Sequence, residues 1–218
     1  MAKILVLAGV NGAGKSSLLG AMLREDGAGW FNPDAFTHEL TVRGWTPREA
    51  NAEAWQEGRR RLERAITEGT DFAFETTLGG NTIPALLRQA CGQHEVIVWF
   101  CGLQGVALHL QRVAARVARG GHDIPEAKIR QRYIASRANL IDLLPHLAAL
   151  RLYDNSTEAN ARGEATPLLL LDMDAQGIHC PVTRQEFDQV PDWAKPIVVS
   201  ALDAWVQRPR PADDLSPT

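Results

Sequence analysis

The chain has 218 residues, a formal net charge of −3 and 45% hydrophobic residues, which suits one globular domain with a small addition and argues against holding duplex nucleic acid by bulk electrostatics. No apolar stretch approaches the length of a bilayer span, and the amino terminus runs into an apolar strand without a basic flank and cleavage site, so a cytoplasmic protein without membrane contact is expected. Cys91, Cys101 and Cys180 are odd in number and form no C-x-x-C pair, so neither a disulfide frame nor a zinc site is expected and the thiols read as reduced bystanders.

Ile4-Leu5-Val6-Leu7-Ala8 reads as a buried strand, and Gly9-Val10-Asn11-Gly12-Ala13-Gly14-Lys15-Ser16 follows it. That octapeptide fits G-x-x-x-x-G-K-[ST] without a mismatch. Glycines let such a turn bring its N–H groups around phosphate oxygens, while the helix that starts near Lys15 points its dipole at the same anion. Lys15 is expected to meet the β- and γ-phosphates of a nucleoside triphosphate, and Ser16 to ligate magnesium. The helix should run to about Arg24.

Gly29-Trp30-Phe31 reads as a short second strand before Asn32-Pro33-Asp34. Asp34 has two readings. It is either the carboxylate that orients an acceptor hydroxyl and takes its proton, or part of a turn, since N-P-D is good turn chemistry. Thr46-Pro47-Arg48-Glu49 is a capping box with proline at the first helical position, and its helix should last to Gly69.

Strand-like runs at 3–8, 71–75, 95–102, 150–154 and 167–172 alternate with helical patterns, which predicts an α/β fold with a parallel sheet flanked by helices. Parallel strands present their carboxyl ends together, so Glu75-Thr76-Thr77 should emerge at the edge that carries the phosphate loop. There Glu75 binds substrate hydroxyls or magnesium, or caps the following helix. The strand Glu95 to Phe100 ends in Cys101-Gly102, so the acid that supports magnesium in motor ATPases is missing from that place. Asp172, after Leu168 to Leu171, imitates that acid late in the chain, but four leucines before an aspartate are more often a core strand meeting its turn. No N-K-x-D tetrad for guanine occurs.

From Val106 to Arg119, Val106, Leu110, Val113 and Val117 make an apolar stripe, and Arg112, Arg116 and Arg119 share another face. Gly120-Gly121 should end this helix, His122 reads as a hinge or cap residue, and Asp123-Ile124-Pro125-Glu126 reads as a capping box for the next. Between His109 and Leu140 seven cations face Asp123 and Glu126, a local +5. A glycine-hinged hairpin of this kind suits mobile guanidinium groups that close over a phosphoryl group. The expected organisation is a kinase domain over 1–175 with a helical lid at about 104–145, a helical extension over 176–207 containing a helix from Trp193 to Val206, and a frayed tail over 208–218.

The phosphate loop, Asn32-Pro33-Asp34-Ala35, Gly58-Arg59-Arg60, Phe74-Glu75-Thr76-Thr77-Leu78, Arg116-Val117-Ala118-Arg119-Gly120-Gly121-His122-Asp123-Ile124-Pro125, Arg132-Tyr133 and Tyr153-Asp154-Asn155-Ser156 together resemble the zeta-toxin family of small phosphate-loop kinases, in its compact chromosomal form. The resemblance implies an adenylate-kinase-like fold with a helical arginine-bearing lid. It also implies ATP- and magnesium-dependent phosphorylation of a sugar-nucleotide hydroxyl, with UDP-N-acetylglucosamine the first acceptor to test. Gly9, Asn11, Gly12, Ala13, Gly14, Lys15, Ser16 and Ser17 would then hold the triphosphate, Asp34 would be the base, and Arg116 and Arg132 would act from the lid, with Arg112 and Arg119 as alternatives. Glu75 and Thr76 would contact the acceptor together with Arg59, and Asn155 the nucleotide base. An antitoxin partner is possible on the same resemblance. Two other readings stay open: a kinase of another hydroxyl compound, such as an antibiotic, a nucleoside or a nucleic-acid end, and a nucleotide-binding regulator without transfer activity.

Overall fold

The computed structural model describes residues 1–17, 29–121, 123–157 and 166–207. The far part of the first expected helix, His122 and the 208–218 tail lie outside the described residues.

β1 (Ala2–Ala8) pairs in parallel with β2 (Phe72–Thr76) on one side and β3 (His94–Gly102) on the other, and β3 pairs in parallel with β4 (Ala149–Asp154). Two further strands, β5 (Leu168–Met173) and β6 (Ile178–Cys180), complete the order β2-β1-β3-β4-β5-β6, but they run antiparallel. The parallel sheet expected from the alternating pattern is present in β1 to β4, and the run at 167–172 joins it antiparallel. A strand's residue pattern records burial and carries no direction, so Leu168 to Leu171 read the same either way.

Alternation along β1 divides the core. Ile4, Val6 and Ala8 join the main cluster with Phe74, Val96, Val98, Leu150 and Leu152, whereas Leu5 and Leu7 join a second cluster with Cys101, Leu103 and Tyr153. Side chains two apart share a sheet face, so these clusters cover opposite faces.

The helices whose whole length falls among the described residues are α1 (Pro33–Val42), α2 (Pro47–Glu68), α3 (Thr82–Ala90), α4 (Val106–Val117), α5 (Glu126–Leu143), a short α6 (Arg184–Asp188) and α7 (Lys195–Val206). Thr46 and Glu49 form the expected capping box at α2, and Gly69 ends it in the left-handed conformation at φ +64°. The box expected at α5 does not form: Pro125 occupies the cap position and no side chain caps the helix. Ile124 and Pro125 stand between Asp123 and the first helical turn, and a residue before proline is held extended, so Asp123 is already past when the chain coils.

α1 was not foreseen, and α3 was expected only as a helix without bounds after Glu75. Gly29-Trp30-Phe31 contributes a single bridge rather than a strand: Phe31 N–H donates to the Ala73 carbonyl at 2.8 Å and its carbonyl accepts from Glu75 N–H at 2.9 Å. Val113 packs with Val10 and Ile129, with Val106, Leu110 and Val117 alongside, so the stripe on α4 seats the helical hairpin against the phosphate loop. Leu140 and Leu143 of α5, and Ile197, Val198 and Ala201 of α7, are part of the main core. None of the described helices is long and apolar enough to cross a membrane.

Candidate active site

The carboxyl ends of the four parallel strands meet in register, Ala8 beside Thr76 and Phe100, and Gly102 beside Asp154. The loop that leaves β1 crosses directly over β3. Gly9 has φ +140°, and a β-carbon there would lie 2.1 Å from the Cys101 carbonyl oxygen. Gly12 and Gly14 also take positive φ, at +82° and +91°, which bends the loop into a concavity of the kind that backbone N–H groups offer to phosphates. Helical geometry begins at Lys15.

The loop is fastened from beneath. The Ala13 carbonyl accepts from Cys101 Sγ at 3.1 Å and from Asn155 Nδ2 at 2.9 Å. His109 Nδ1, which must carry the hydrogen because its partner is a carbonyl, donates to Asn11 O at 2.9 Å. Arg132 Nη1 donates to Asn11 Oδ1 at 2.8 Å. Burial pushes the Cys101 thiol up to about 12 and the His109 imidazole down to about 4, so both are neutral at physiological pH. Cys101, expected to be a bystander, is a free thiol that supports the loop. His109 carried no motif that could have revealed it.

Opposite the loop, Glu75 is buried and gathers three partners. Its Oε2 accepts from Ser16 Oγ at 2.8 Å and Asn32 Nδ2 at 3.1 Å, while its Oε1 lies 3.6 Å from Lys15 Nζ. Lys15 Nζ also reaches the Val10 carbonyl at 3.5 Å. Glu75 does not cap α3; Asn81 stands at that cap position. Asp34 lies in the first turn of α1, where its carboxylate receives Arg116 Nη1 at 3.3 Å. It is therefore a helix-start residue, which turn chemistry resembles because both use Asn and Pro in sequence.

Two cavities open on these groups, of about 960 and 590 Å³. Asn11, Lys15, Asp34 and Glu75 line both and form the wall between them. The smaller is completed by Gly12, Gly14, Ser16, Ser17, Arg112, Arg116, Arg119 and Asn155. The larger is completed by Arg59, Thr76 and Arg132, and also by Arg48, Trp55 and Lys128, which the sequence did not single out. Gly9 and Ala13 line neither and act under the loop. Asn155 commits its amide nitrogen to Ala13. Arg119 Nε donates to the Ala115 carbonyl on its own helix at 3.1 Å. Thr76 Oγ1 accepts from the N–H of Leu78, a residue held at φ +54° where the chain turns away from β2. Burial lowers the Arg132 pKa, partly offset by Asp34.

Asp172 stands apart from both cavities. It pairs with Arg151 at 3.4 Å, and because β5 runs antiparallel its end points away from the phosphate loop: Leu168, not Asp172, lies beside Asp154. The carboxylate beside the loop is instead Glu75, on the strand next to β1.

No family model matches the chain. An uncharacterized protein of Haemophilus influenzae (strain ATCC 51907 / DSM 11121 / KW20 / Rd) is 30% identical over 139 residues, covering 60% of this chain and 92% of that protein. Among solved structures, the AvrRxo1-ORF1:AvrRxo1-ORF2 complex with sulphate ions matches 94% of this chain and 76% of its own with a TM-score of 0.61. The AvrRxo1-ORF1:-ORF2 complex with ATP matches 98% of this chain and 66% of its own with a TM-score of 0.63. Both are 15% identical in sequence, a likeness of fold.

Proposed function

We propose, for a chain that belongs to the same family as the Haemophilus influenzae protein and has the α/β fold of the phosphate-loop kinases, that it transfers the terminal phosphoryl group of ATP to a hydroxyl of a small molecule. The observation that carries this reading is the shared wall: Lys15, Asp34, Glu75 and Asn11 face both cavities, so a donor and an acceptor could meet across them. The ATP in one matched complex supports ATP as the donor.

In this reading the smaller cavity takes the triphosphate. Ser16, whose Oγ donates its hydrogen to Glu75 and accepts from Asn32 Nδ2, keeps one lone pair with which it would hold magnesium. Bound magnesium supplies charge neutralisation on the phosphate oxygens. Asp34 takes the proton of the acceptor hydroxyl as that oxygen bonds to phosphorus, and ADP departs with the electrons of the broken bond. Arg116 and Arg132, cationic whatever their surroundings, neutralise charge on the transferring group, with Arg112 and Arg119 near the donor. The larger cavity takes the acceptor, with Arg59, Glu75 and Thr76 on its lining.

Its volume and its cations Arg48, Arg59 and Lys128 support a sizeable anionic acceptor, for which UDP-N-acetylglucosamine is the first candidate. A neutralising protein partner belongs to the same proposal, supported by the two-protein complexes matched in fold. The test is incubation with ATP, magnesium and a panel of sugar nucleotides, nucleosides and aminoglycosides, with phosphate gain read by mass spectrometry. Phosphate gain on one class identifies the acceptor. ATP consumption with no phosphorylated product, unchanged by Asp34→Asn, would defeat the kinase assignment.

A further inference from the structure

Asn32 divides its side-chain amide between two parts of the site. Its Oδ1 accepts from the N–H groups of Asp34 at 2.9 Å and Ala35 at 3.1 Å, capping α1. Its Nδ2 donates to Glu75 Oε2 at 3.1 Å and reaches Ser16 Oγ at 3.3 Å. Two donors on one side and two oxygens on the other fix which end of the amide is which.

The backbone beside it is also held. Phe31 is bridged to β2 on both its N–H and its carbonyl, so the residue before Asn32 is tied to the strand that carries Glu75. Beyond Asn32, the packing that fixes α1 lies a turn along it, where Phe36 packs against the main core with its ring centroid 5.6 Å from that of Phe31. α1 buries only Thr37 and Leu40, and Asp34 is exposed. In the first turn itself, Asp34 is held by the Asn32 cap on its backbone N–H and by Arg116 on its carboxylate.

Helix capping does not by itself require asparagine. Aspartate caps as well, and serine nearly so, but aspartate has no hydrogen for Glu75 and the serine side chain is one atom group too short to span from cap to carboxylate. Asparagine does both with one planar group. We propose that Asn32 is a positioning residue that ties the first turn of α1 to Glu75 and Ser16 and so sets where Asp34 stands relative to the phosphate loop. The inference rests on the reading of Asp34 as the base.

The experiment compares wild type, Asn32→Ser, Asn32→Asp, the double variant Asn32→Asp with Glu75→Gln, and Asp34→Asn. ADP release is measured with ATP, magnesium and UDP-N-acetylglucosamine, a readout that counts transfer to water as well as to the acceptor. Affinity for a fluorescent ATP analogue and the thermal midpoint are measured alongside. Both single substitutions at Asn32 keep a cap, so they should retain the fold and bind the analogue within about threefold of wild type, yet lose about ten- to a hundredfold in kcat, the scale of a misplaced reacting group. The double variant reverses donor and acceptor, because the amide placed at position 75 can donate to the carboxylate placed at position 32; it should turn over faster than Asn32→Asp alone. A residue that merely caps would show wild-type kcat in Asn32→Ser and Asn32→Asp and no coupling to position 75, and that result overturns the proposal while Asp34→Asn stays inactive. Turnover that survives Asp34→Asn, or is absent in wild type with every acceptor of the panel above, overturns the underlying reading and this inference with it.

Discussion

Arg116 and Asp34 meet at 3.3 Å across the gap between α4 and α1, joining the arginine-bearing hairpin to the acid on the other side of the phosphate loop. Both side chains are substantially exposed, at 34% and 61%, so solvent screens the pair and its share of stability is small. Arg116→Ala should change unfolding free energy by less than about 1 kcal/mol in a urea titration. Its turnover should nevertheless drop by about a hundredfold or more, because a guanidinium aimed at developing charge acts only in the transition state. A loss of activity that merely tracked a loss of fold would contradict this role.

Asp34→Asn keeps the size of the side chain and removes its basicity. A rate loss of roughly a hundred- to ten-thousandfold is expected in steady-state kinetics, with the ATP analogue still bound. Equal loss of binding would point to a role in holding the donor.

Lys15 is only 7% exposed and sits 3.6 Å from Glu75. Lys15→Ala should lower turnover by roughly a hundredfold or more and weaken the ATP analogue in equilibrium titration, since it removes the buried cation from the donor side. It also leaves the Glu75 carboxylate with a deficit of positive charge. Near-normal turnover in this variant would contradict its assignment.

Gly9 and Gly44 separate steric overlap from backbone strain. Both have positive φ, but a β-carbon on Gly44 meets nothing within 4 Å, whereas one on Gly9 would lie 2.1 Å from the Cys101 carbonyl oxygen. Gly44→Ala should cost about 1 kcal/mol, the left-handed penalty alone. Gly9→Ala should cost about 3 kcal/mol or more, because β3 or the loop must move. Chemical denaturation of the two variants side by side makes the comparison.

His109 gives the fold an acid sensitivity. Its pKa falls from 6.5 to about 4 on folding, chiefly by burial, so the unfolded chain binds the proton more readily. Stability is therefore undiminished above pH 6.5 and declines as the pH falls toward 4, by roughly 3 kcal/mol over the window for a shift of this size. His109→Gln, which can still donate to the Asn11 carbonyl and does not titrate there, should flatten that slope in denaturation curves taken between pH 4 and 7.

Local signals carried much of this architecture. The strand, loop and helix start around Lys15 were legible because each glycine answers a specific geometric demand, and α2 because Thr46 and Glu49 cap it within four residues. The stripe of α4 was legible because its apolar spacing is regular. α1 escaped notice since it buries just two residues and opens with Asn32-Pro33, equally suited to a turn. α3 is nine residues long and contains Pro84, tolerated in a first turn whose N–H groups lack helical partners. The antiparallel sense of β5, the buried His109 and the second task of Asn32 are tertiary facts. Each depends on a partner distant in sequence, with no spacing rule to disclose it.

The fastening of the phosphate loop has a thermodynamic corollary. Cys101 on β3, Asn155 just past the end of β4, His109 on α4 and Arg132 on α5 hold Ala13 and Asn11. The ordering entropy of the loop is thereby charged to folding, so on the proposed function a polyphosphate would dock on a preorganised cradle. Calorimetry should accordingly record little of the negative entropy that accompanies disorder-to-order capture, and nucleotide should raise the thermal midpoint by mass action on a structure that is otherwise unchanged.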